Sequence, residues 1–264
     1  MFITSKDRSI YYQLDGNAQG PRLVLLNSLG TSLGSWNEVV AILAGKYHLL
    51  RIDKSGHGQS ASYSGELRIS DNAADVLAVM DAVSWDKANV CGVSIGGMTI
   101  LDLAIHHPHR LDKIILSNTS SYVSPEHLIE RAALIRKFGI AFVAAQVVGR
   151  FFIESSTVSS NERFAVAVRD FLACDDESYC RWCEAIVAMD YRPGLHQIDA
   201  QTLVITGEHD KATPAHMGQH LHQAIYGAER IHLPYGHIPY MDDAQQYADI
   251  LDRFLSGRQP ASAR

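Results

Sequence analysis

The chain has 264 residues, 47% of them hydrophobic, which is enough to bury one large core with an inserted subdomain. At a formal net charge of −6, no basic patch argues for a nucleic-acid partner, and no apolar stretch approaches the roughly 20 residues of a transmembrane helix. The first residues lack the pattern of a signal peptide, and four cysteines do not make a disulfide framework in a chain of this length. We therefore predict a cytoplasmic protein. We also predict that it binds neither nucleic acid nor a membrane.

Strand and helix patterns alternate in the first part of the chain. Short apolar runs predict strands at Tyr11–Leu14, Arg22–Leu26, His48–Ile52, Ala88–Cys91 and Lys113–Ser117. Helical patterns lie between them at Ser35–Leu43, at Ser70–Val83, where Ser70 is the expected N-cap, and at Gly96–His107. Near-continuous apolar strands separated by helices are typical of a parallel sheet with helices on both faces.

The pattern changes after Asn118. From Pro125 to about Met189 no strand is predicted, and helices are predicted at Pro125–Phe138, Ile140–Phe152, Glu162–Leu172 and Glu177–Met189. Strands then return at Gln201–Thr206 and Arg230–Leu233, with helices at Ala215–Ile225 and Ala244–Leu255. We therefore predict an α/β core, residues 1–121 and 193–264, interrupted by an all-helical cap at residues 122–192.

The segment Gly92-Val93-Ser94-Ile95-Gly96 lies between a predicted strand and a predicted helix. A serine in such a turn, with glycines two residues to either side, has a tight, strained backbone that projects its hydroxyl from the sheet edge. The turn also places the Ile95 N–H at a helix N-terminus, where it faces negative charge. This pattern is a nucleophile elbow, and it makes Ser94 the candidate nucleophile.

A serine nucleophile needs a base, and the base needs an orienting group. In folds with this elbow the chain order is serine, then Asp or Glu, then His. Asp210 and His237 each follow a predicted strand in that order, at the strand ends where ligand sites of open α/β sheets lie. Each could be an ordinary loop residue by itself, but together they predict a catalytic triad of Ser94, His237 and Asp210.

An oxyanion hole needs two backbone donors. Ile95 supplies the first, and Leu29, in the loop after the predicted strand Arg22–Leu26, is the candidate for the second. The alternative for this loop is an ordinary glycine turn. His57 precedes the serine in the chain and lies in a glycine-flanked turn, so we expect it to support the site rather than to act as the base.

Several segments resemble the 3-oxoadipate enol-lactonases of the α/β-hydrolase superfamily. Asn27–Trp36 is similar to their oxyanion loop, with Asn27-Ser28 where many relatives have His-Gly, and Cys91–Met98 is similar to their elbow. The strand Leu111–Thr119 matches as well, and the cap matches more loosely from Cys183 to Pro193. The chain departs from the family at Lys54-Ser55, where an arginine usually precedes the glycine turn, and at Ile238–Met241 after the base.

The resemblance implies an α/β-hydrolase fold and hydrolysis of 3-oxoadipate enol-lactone in bacterial aromatic-compound degradation, the β-ketoadipate pathway, without cofactor or metal. Ser94 would form an acyl-enzyme that water then releases. The substrate, a small anionic lactone, carries a carboxylate that needs a cation in the pocket. Arg150 ranks first, with Phe151 and Trp36 as further candidate substrate contacts. The other candidate cations are Arg131, Arg136, Arg181 and Arg192.

Other functions remain open at this point. A general carboxylesterase, a related C–O or C–C hydrolase or a cofactor-free haloperoxidase would use the same triad, and a non-catalytic ligand receptor would keep only the fold. The Cys180/Cys183 and His216/His220 pairs have no evident further ligand, so no metal site is predicted from them. The sequence leaves the oligomeric state open.

Overall fold

The computed structural model describes residues 1–153 and 162–257. Its eight strands are β1 (Phe2–Ser5), β2 (Arg8–Gly16), β3 (Arg22–Leu26), β4 (His48–Ile52), β5 (Ala88–Val93), β6 (Leu111–Ser117), β7 (Gln201–Gly207) and β8 (Glu229–Leu233). They form one sheet in the order β1-β2-β4-β3-β5-β6-β7-β8. The β1–β2 and β2–β4 pairs are antiparallel, and the other pairs are parallel, which confirms the predicted mostly parallel sheet.

Ten α-helices accompany the sheet in the described part of the chain. They are α1 (Asn37–Leu43), α2 (Ile69–Ala82), α3 (Ile95–His106), α4 (Glu126–Phe138), α5 (Ala144–Val148), α6 (Glu162–Leu172), α7 (Asp176–Ala188), α8 (Ala215–Ala224), α9 (Pro239–Asp242) and α10 (Ala244–Ser256). Within the described ranges, none is long and apolar enough to cross a membrane.

Each face of the sheet has its own hydrophobic core because side chains alternate along a strand. On β3, Leu23 and Leu25 pack into a core that includes α1 and α10. Val24 and Leu26, one residue out of phase, pack into a second core with α2, α3 and α8. The central strands are therefore covered on both sides, as their continuous apolar sequences predict.

Helices α4 to α7 lie between β6 and β7 in the chain and pack against the core near the carboxyl ends of the parallel strands. The indole N–H of Trp182, on α7, donates to the Ser55 carbonyl at 2.9 Å. The carboxylate of Asp170, on α6, accepts from the Ser32 hydroxyl at 2.6 Å. These contacts join the cap helices to the loops that follow β3 and β4, where the candidate oxyanion loop begins.

Three local predictions were wrong. Ser70 is not an N-cap: α2 begins at Ile69, and the Arg68 N–H donates to the Asp71 carboxylate. The predicted helix Ile140–Phe152 is instead a 3₁₀ turn followed by the short helix α5. The third concerns the end of α3, which was predicted at His107. The helix ends at His106, and His107 has φ −134° and ψ 47°, outside the helical region.

Candidate active site

Ser94 lies at the turn between β5 and α3 and is 7% exposed. Its backbone has φ 58° and ψ −121°, a region that is strained for any residue except glycine. A Cβ on Gly96 would lie 2.4 Å from the Leu26 carbonyl oxygen, and one on Gly92 would lie 2.4 Å from the Gly96 carbonyl carbon. The two glycines are therefore required by close backbone approach, which is the geometry of the predicted elbow.

Asp210 and His237 lie in the loops after β7 and β8, which are adjacent parallel strands. The His237 Nδ1 is 3.0 Å from both carboxylate oxygens of Asp210. Because a carboxylate only accepts, Nδ1 carries the proton and Nε2 of the neutral ring is left as an acceptor. Burial would raise the pKa of Asp210, but the imidazole and the hydrogen bonds to the carboxylate hold that pKa below its usual value.

Four further donors hold the Asp210 carboxylate. The backbone N–H groups of Ala212 and Thr213 donate to Oδ1 at 2.8 and 2.9 Å. The Thr213 hydroxyl and the Asn118 side-chain amide donate to Oδ2 at 2.8 and 2.9 Å. Sequence reasoning missed Asn118 and Thr213, although Asn118 directly follows β6 at the same sheet edge as the other candidates. These bonds fix the carboxylate that orients the imidazole.

Ser94 and His237 line one cavity of about 280 Å³. Its walls are mostly apolar, from Leu29, Met98, Val123, Leu128, Val147, Phe151, Ile186, Pro214 and Met217. Of the two candidate oxyanion donors, Leu29 is one of these wall residues. The other, Ile95, follows Ser94 directly as the first residue of α3. In the described part of the chain, no backbone carbonyl accepts a hydrogen bond from the Leu29 amide. The structure thus brings the three predicted triad residues and both candidate oxyanion donors to one place.

Two of the five candidate arginines reach this cavity. Arg131 and Arg150 line it, and the Arg131 Nη1 donates to the Tyr179 hydroxyl at 3.2 Å. The other three pair with acidic groups outside the cavity: Arg136 and Arg181 with Glu177 and Glu184, and Arg192 with Asp190. Two more basic residues, His127 and Lys211, also line the cavity, and neither was predicted from the sequence.

The predicted aromatic contacts have different positions. Phe151 lines the cavity with its ring centroid 6.0 Å from that of His237. Trp36 does not: it is fully buried and stacks on Tyr240 with centroids 3.8 Å apart. The prediction of Trp36 as a substrate contact was wrong, because its indole fills the core beneath the oxyanion loop rather than the cavity wall.

The described residues contain no cluster of three or more His, Cys, Asp or Glu side chains that could hold a metal ion. Cys180 and Cys183 are buried free thiols in the interior of α7, where burial raises the pKa of Cys180 to about 11 and that of Cys183 to about 12. Both thiols are therefore protonated near neutral pH.

Comparisons with known proteins agree with this geometry. Residues 21–167 match the sequence profile described as the alpha/beta hydrolase fold. The 3-oxoadipate enol-lactonase 2 of Acinetobacter baylyi is 32% identical over 96% of this chain and 95% of its own length. The crystal structure of the enol-lactonase from Burkholderia xenovorans LB400 matches with a TM-score of 0.94 and 34% identity, over 97% of this chain and all of the other. A malate-bound thermophilic esterase from Thermogutta terrifontis, at 19% identity, shares the fold with a TM-score of 0.90 over 97% of this chain and 98% of its own.

Proposed function

Because this chain belongs to the α/β-hydrolase family, we propose that it is a serine hydrolase that opens the ring of 3-oxoadipate enol-lactone to give 3-oxoadipate. The observation that carries the proposal is one cavity in which Ser94 and His237 face basic side chains from the cap and the core. An apolar cavity with cations fits a small, uncharged lactone ring that bears a carboxylate. The name of the Acinetobacter baylyi relative, 3-oxoadipate enol-lactonase 2, supports the same substrate, and the name of the Burkholderia xenovorans enol-lactonase supports the same class of reaction.

We assign the acylation step to Ser94 and His237, which line the same cavity. His237 Nε2 takes the proton from the Ser94 hydroxyl while Oγ attacks the lactone carbonyl carbon. Negative charge then develops on the carbonyl oxygen, where the Leu29 and Ile95 N–H groups donate to it, and each such donor contributes about 3–4 kcal/mol of barrier reduction. When the ring C–O bond breaks, the leaving enolate takes the proton from His237 and stays attached to the acyl chain.

Water releases the product in the second half of the reaction. His237 Nε2 takes a proton from water as the water oxygen attacks the acyl carbon, and the same proton returns to Ser94 Oγ when the ester bond breaks. Asp210 keeps Nδ1 protonated throughout and stabilises the imidazolium. The product has a new carboxylate in place of the lactone ester, and its enol tautomerises to the ketone of 3-oxoadipate.

The carboxylate of the substrate requires a fixed cation, and Arg131 is the side chain that we place there. Its hydrogen bond to the Tyr179 hydroxyl orients the guanidinium, and Tyr179 is itself fully buried. Arg150, Phe151 and Lys211 lie on the same cavity. We assign to Arg150 a second, adjacent charge, and to Phe151 the apolar contact with the ring.

Steady-state kinetics test the proposed substrate. Purified enzyme is expected to open 3-oxoadipate enol-lactone with a kcat/KM at least about tenfold above that for p-nitrophenyl acetate, because only the lactone engages the cavity cations. Loss of enol-lactone absorbance gives the rate, and mass spectrometry identifies the product. Good turnover of the aryl ester without ring opening would instead support a general carboxylesterase.

Replacing Arg131 by Met should separate charge recognition from chemistry. We expect KM for the anionic lactone to rise by about 10–100-fold, the equivalent of one charged hydrogen bond, while kinetics with neutral p-nitrophenyl acetate change by less than about twofold. Arg136→Met, on the same helix but paired with Glu177 and Glu184, is the matched control. An equal loss for both substrates would show that Arg131 maintains the cap rather than binding the carboxylate.

A further inference from the structure

Two buried side chains contact the peptide groups on either side of Leu29. The Lys54 ammonium donates to the Ser28 carbonyl at 2.8 Å, and the Gly30 N–H donates to His57 Nε2 at 3.0 Å. Lys54 is 3% exposed and His57 is 1% exposed. Both follow β4, lie outside the triad and take no part in the steps described above.

Peptide geometry gives these contacts a consequence for catalysis. The Ser28 carbonyl and the Leu29 N–H belong to one planar trans peptide group, so they point in opposite directions. Holding the Ser28 oxygen toward Lys54 therefore directs the Leu29 N–H away from Lys54. The next peptide group contains the Gly30 N–H, which His57 holds. Both planes that flank the Leu29 Cα are fixed in this way.

We propose that Lys54 and His57 are positioning residues that fix the two peptide planes around Leu29 and so aim its N–H at the developing oxyanion. This inference rests on the proposed function, because it assigns to Leu29 the role of oxyanion donor. The contact also polarises the peptide group: a cation on the carbonyl oxygen makes the N–H of the same group a stronger donor. Lys54 therefore has an orienting effect and an electrostatic effect.

The protonation states of both residues agree with these roles. The His57 Nδ1–H donates to the Ser55 carbonyl at 3.1 Å, which leaves Nε2 free to accept from Gly30. Burial, with the Lys54 charge second, lowers the pKa of His57 well below its usual value, so the ring stays neutral. Burial lowers the pKa of Lys54 to about 8, against the opposing influence of the Asp53 carboxylate.

The groups that face Lys54 come from three segments. Asp53 precedes it in the chain, and its carboxylate accepts from the Leu33 and Gln59 N–H groups. Cys174 follows α6, and its thiol donates to the Asp170 carbonyl. Burial raises the pKa of Cys174 to about 12, so its thiol carries no charge near pH 8. Near pH 8 the groups that act on the Lys54 ammonium are therefore the Asp53 carboxylate, the neutral His57 ring and the Ser28 carbonyl.

Substitution of Lys54 tests the inference. Lys54→Met is expected to lower kcat by about 10–100-fold, the range associated with a displacement of about 1 Å in a catalytic geometry, with KM changed by less than about twofold. Affinity for phenylboronic acid, which forms a tetrahedral adduct with a catalytic serine, should fall in parallel. Lys113→Met is the matched control, because its ammonium also donates to a backbone carbonyl, that of Phe254, but far from the cavity.

The pH profile gives a readout that a purely structural role would not move. For the wild-type enzyme kcat should fall as pH rises through about 8, because the neutral amine of Lys54 polarises the Ser28 carbonyl less. Lys54→Arg keeps its charge and should lack this fall. If Lys54→Met does not fold, the inference is still tested by the pH profile of the wild-type enzyme. It is also tested by His57→Leu, which removes the acceptor for the Gly30 N–H.

Two results would overturn the inference: a folded Lys54→Met enzyme with wild-type kcat and boronic acid affinity, or an alkaline fall unchanged in Lys54→Arg. Failure of the proposed function is distinguishable from both. If the wild-type enzyme does not open the enol-lactone but hydrolyses p-nitrophenyl acetate, the same comparisons are made with the aryl ester. If it hydrolyses neither, the proposed function fails and the positioning role fails with it.

Discussion

Ser94→Ala is expected to lower kcat by about 10⁵-fold or more for both the enol-lactone and p-nitrophenyl acetate. The reason is that the variant has no atom that can form the acyl-enzyme, whereas the oxyanion donors and the cavity walls remain. Binding of the anionic lactone should persist, since its contacts do not depend on the hydroxyl. Stopped-time assays with product quantification measure the residual rate, and calorimetry measures lactone binding.

The control for this variant is Ser70→Ala, which removes an exposed hydroxyl on α2 and should leave kcat within about twofold of wild type. A thermal unfolding midpoint of Ser94→Ala close to that of wild type would show that the variant is folded. Residual activity above about a tenth of wild type would contradict the assignment of Ser94 as nucleophile. It would mean that another group carries the reaction, whereas lactone binding without turnover by the wild-type protein would support the ligand-receptor alternative.

The strands could be predicted because their physical cause is local. A strand buried on both faces, such as β3 or β5, must be apolar at consecutive positions, and this appears directly in the sequence. Edge strand β1 was missed because Phe2–Ser5 buries only Ser5 fully, so it shows no such run. Helix α9 has only four residues, which is too short for a helical period to appear.

The convergence of the three candidate triad residues could be predicted from chain order and strand ends alone. Parallel strands bring their carboxyl ends to one edge of the sheet, so Ser94, Asp210 and His237 converge without any knowledge of side-chain packing. The substrate contacts could not be obtained in this way. A helical pattern shows which face of a cap helix is apolar, but not which neighbouring helix or cavity that face meets. Arg131 was one of five candidate cations in the sequence, and only the folded protein shows that it lines the cavity and donates to Tyr179.

Trp36 shows the same limit of sequence-based prediction, because here a predicted substrate contact lies in the core. Its place in the oxyanion loop segment suggests a role at the site, yet its indole stacks on Tyr240 from α9 and lies 6.1 Å from the Tyr247 ring of α10. These residues are more than 200 positions away in the chain, and no local pattern encodes their contact. Nearness in sequence to a functional loop thus says little about which way a large side chain points.

Asp210→Asn is expected to lower kcat by about 10⁴-fold while KM changes by a few-fold at most. The two backbone donors at Oδ1, from Ala212 and Thr213, require an acceptor there, so the amide oxygen takes that position. The amide nitrogen then lies at Oδ2 and presents its hydrogens to His237 Nδ1. The ring responds by carrying its proton on Nε2, and it can no longer accept one from Ser94.

The Asp210→Asn variant also loses stability, since its NH₂ group then meets the donating amide of Asn118, a mismatch that costs about 1–3 kcal/mol. Asp102→Asn is the control: that buried carboxylate accepts from the Tyr191 hydroxyl away from the cavity, so kcat should stay near wild type.

The pKa of Asp210 is depressed in the folded protein. Its contribution to stability is therefore present above the unfolded pKa, near 3.9, and is lost as pH falls through the lower folded value. The stability difference between wild type and Asp210→Asn should therefore shrink only in strong acid, and a difference that disappears already near pH 6 would show that Asp210 is not held as the charged partner of His237.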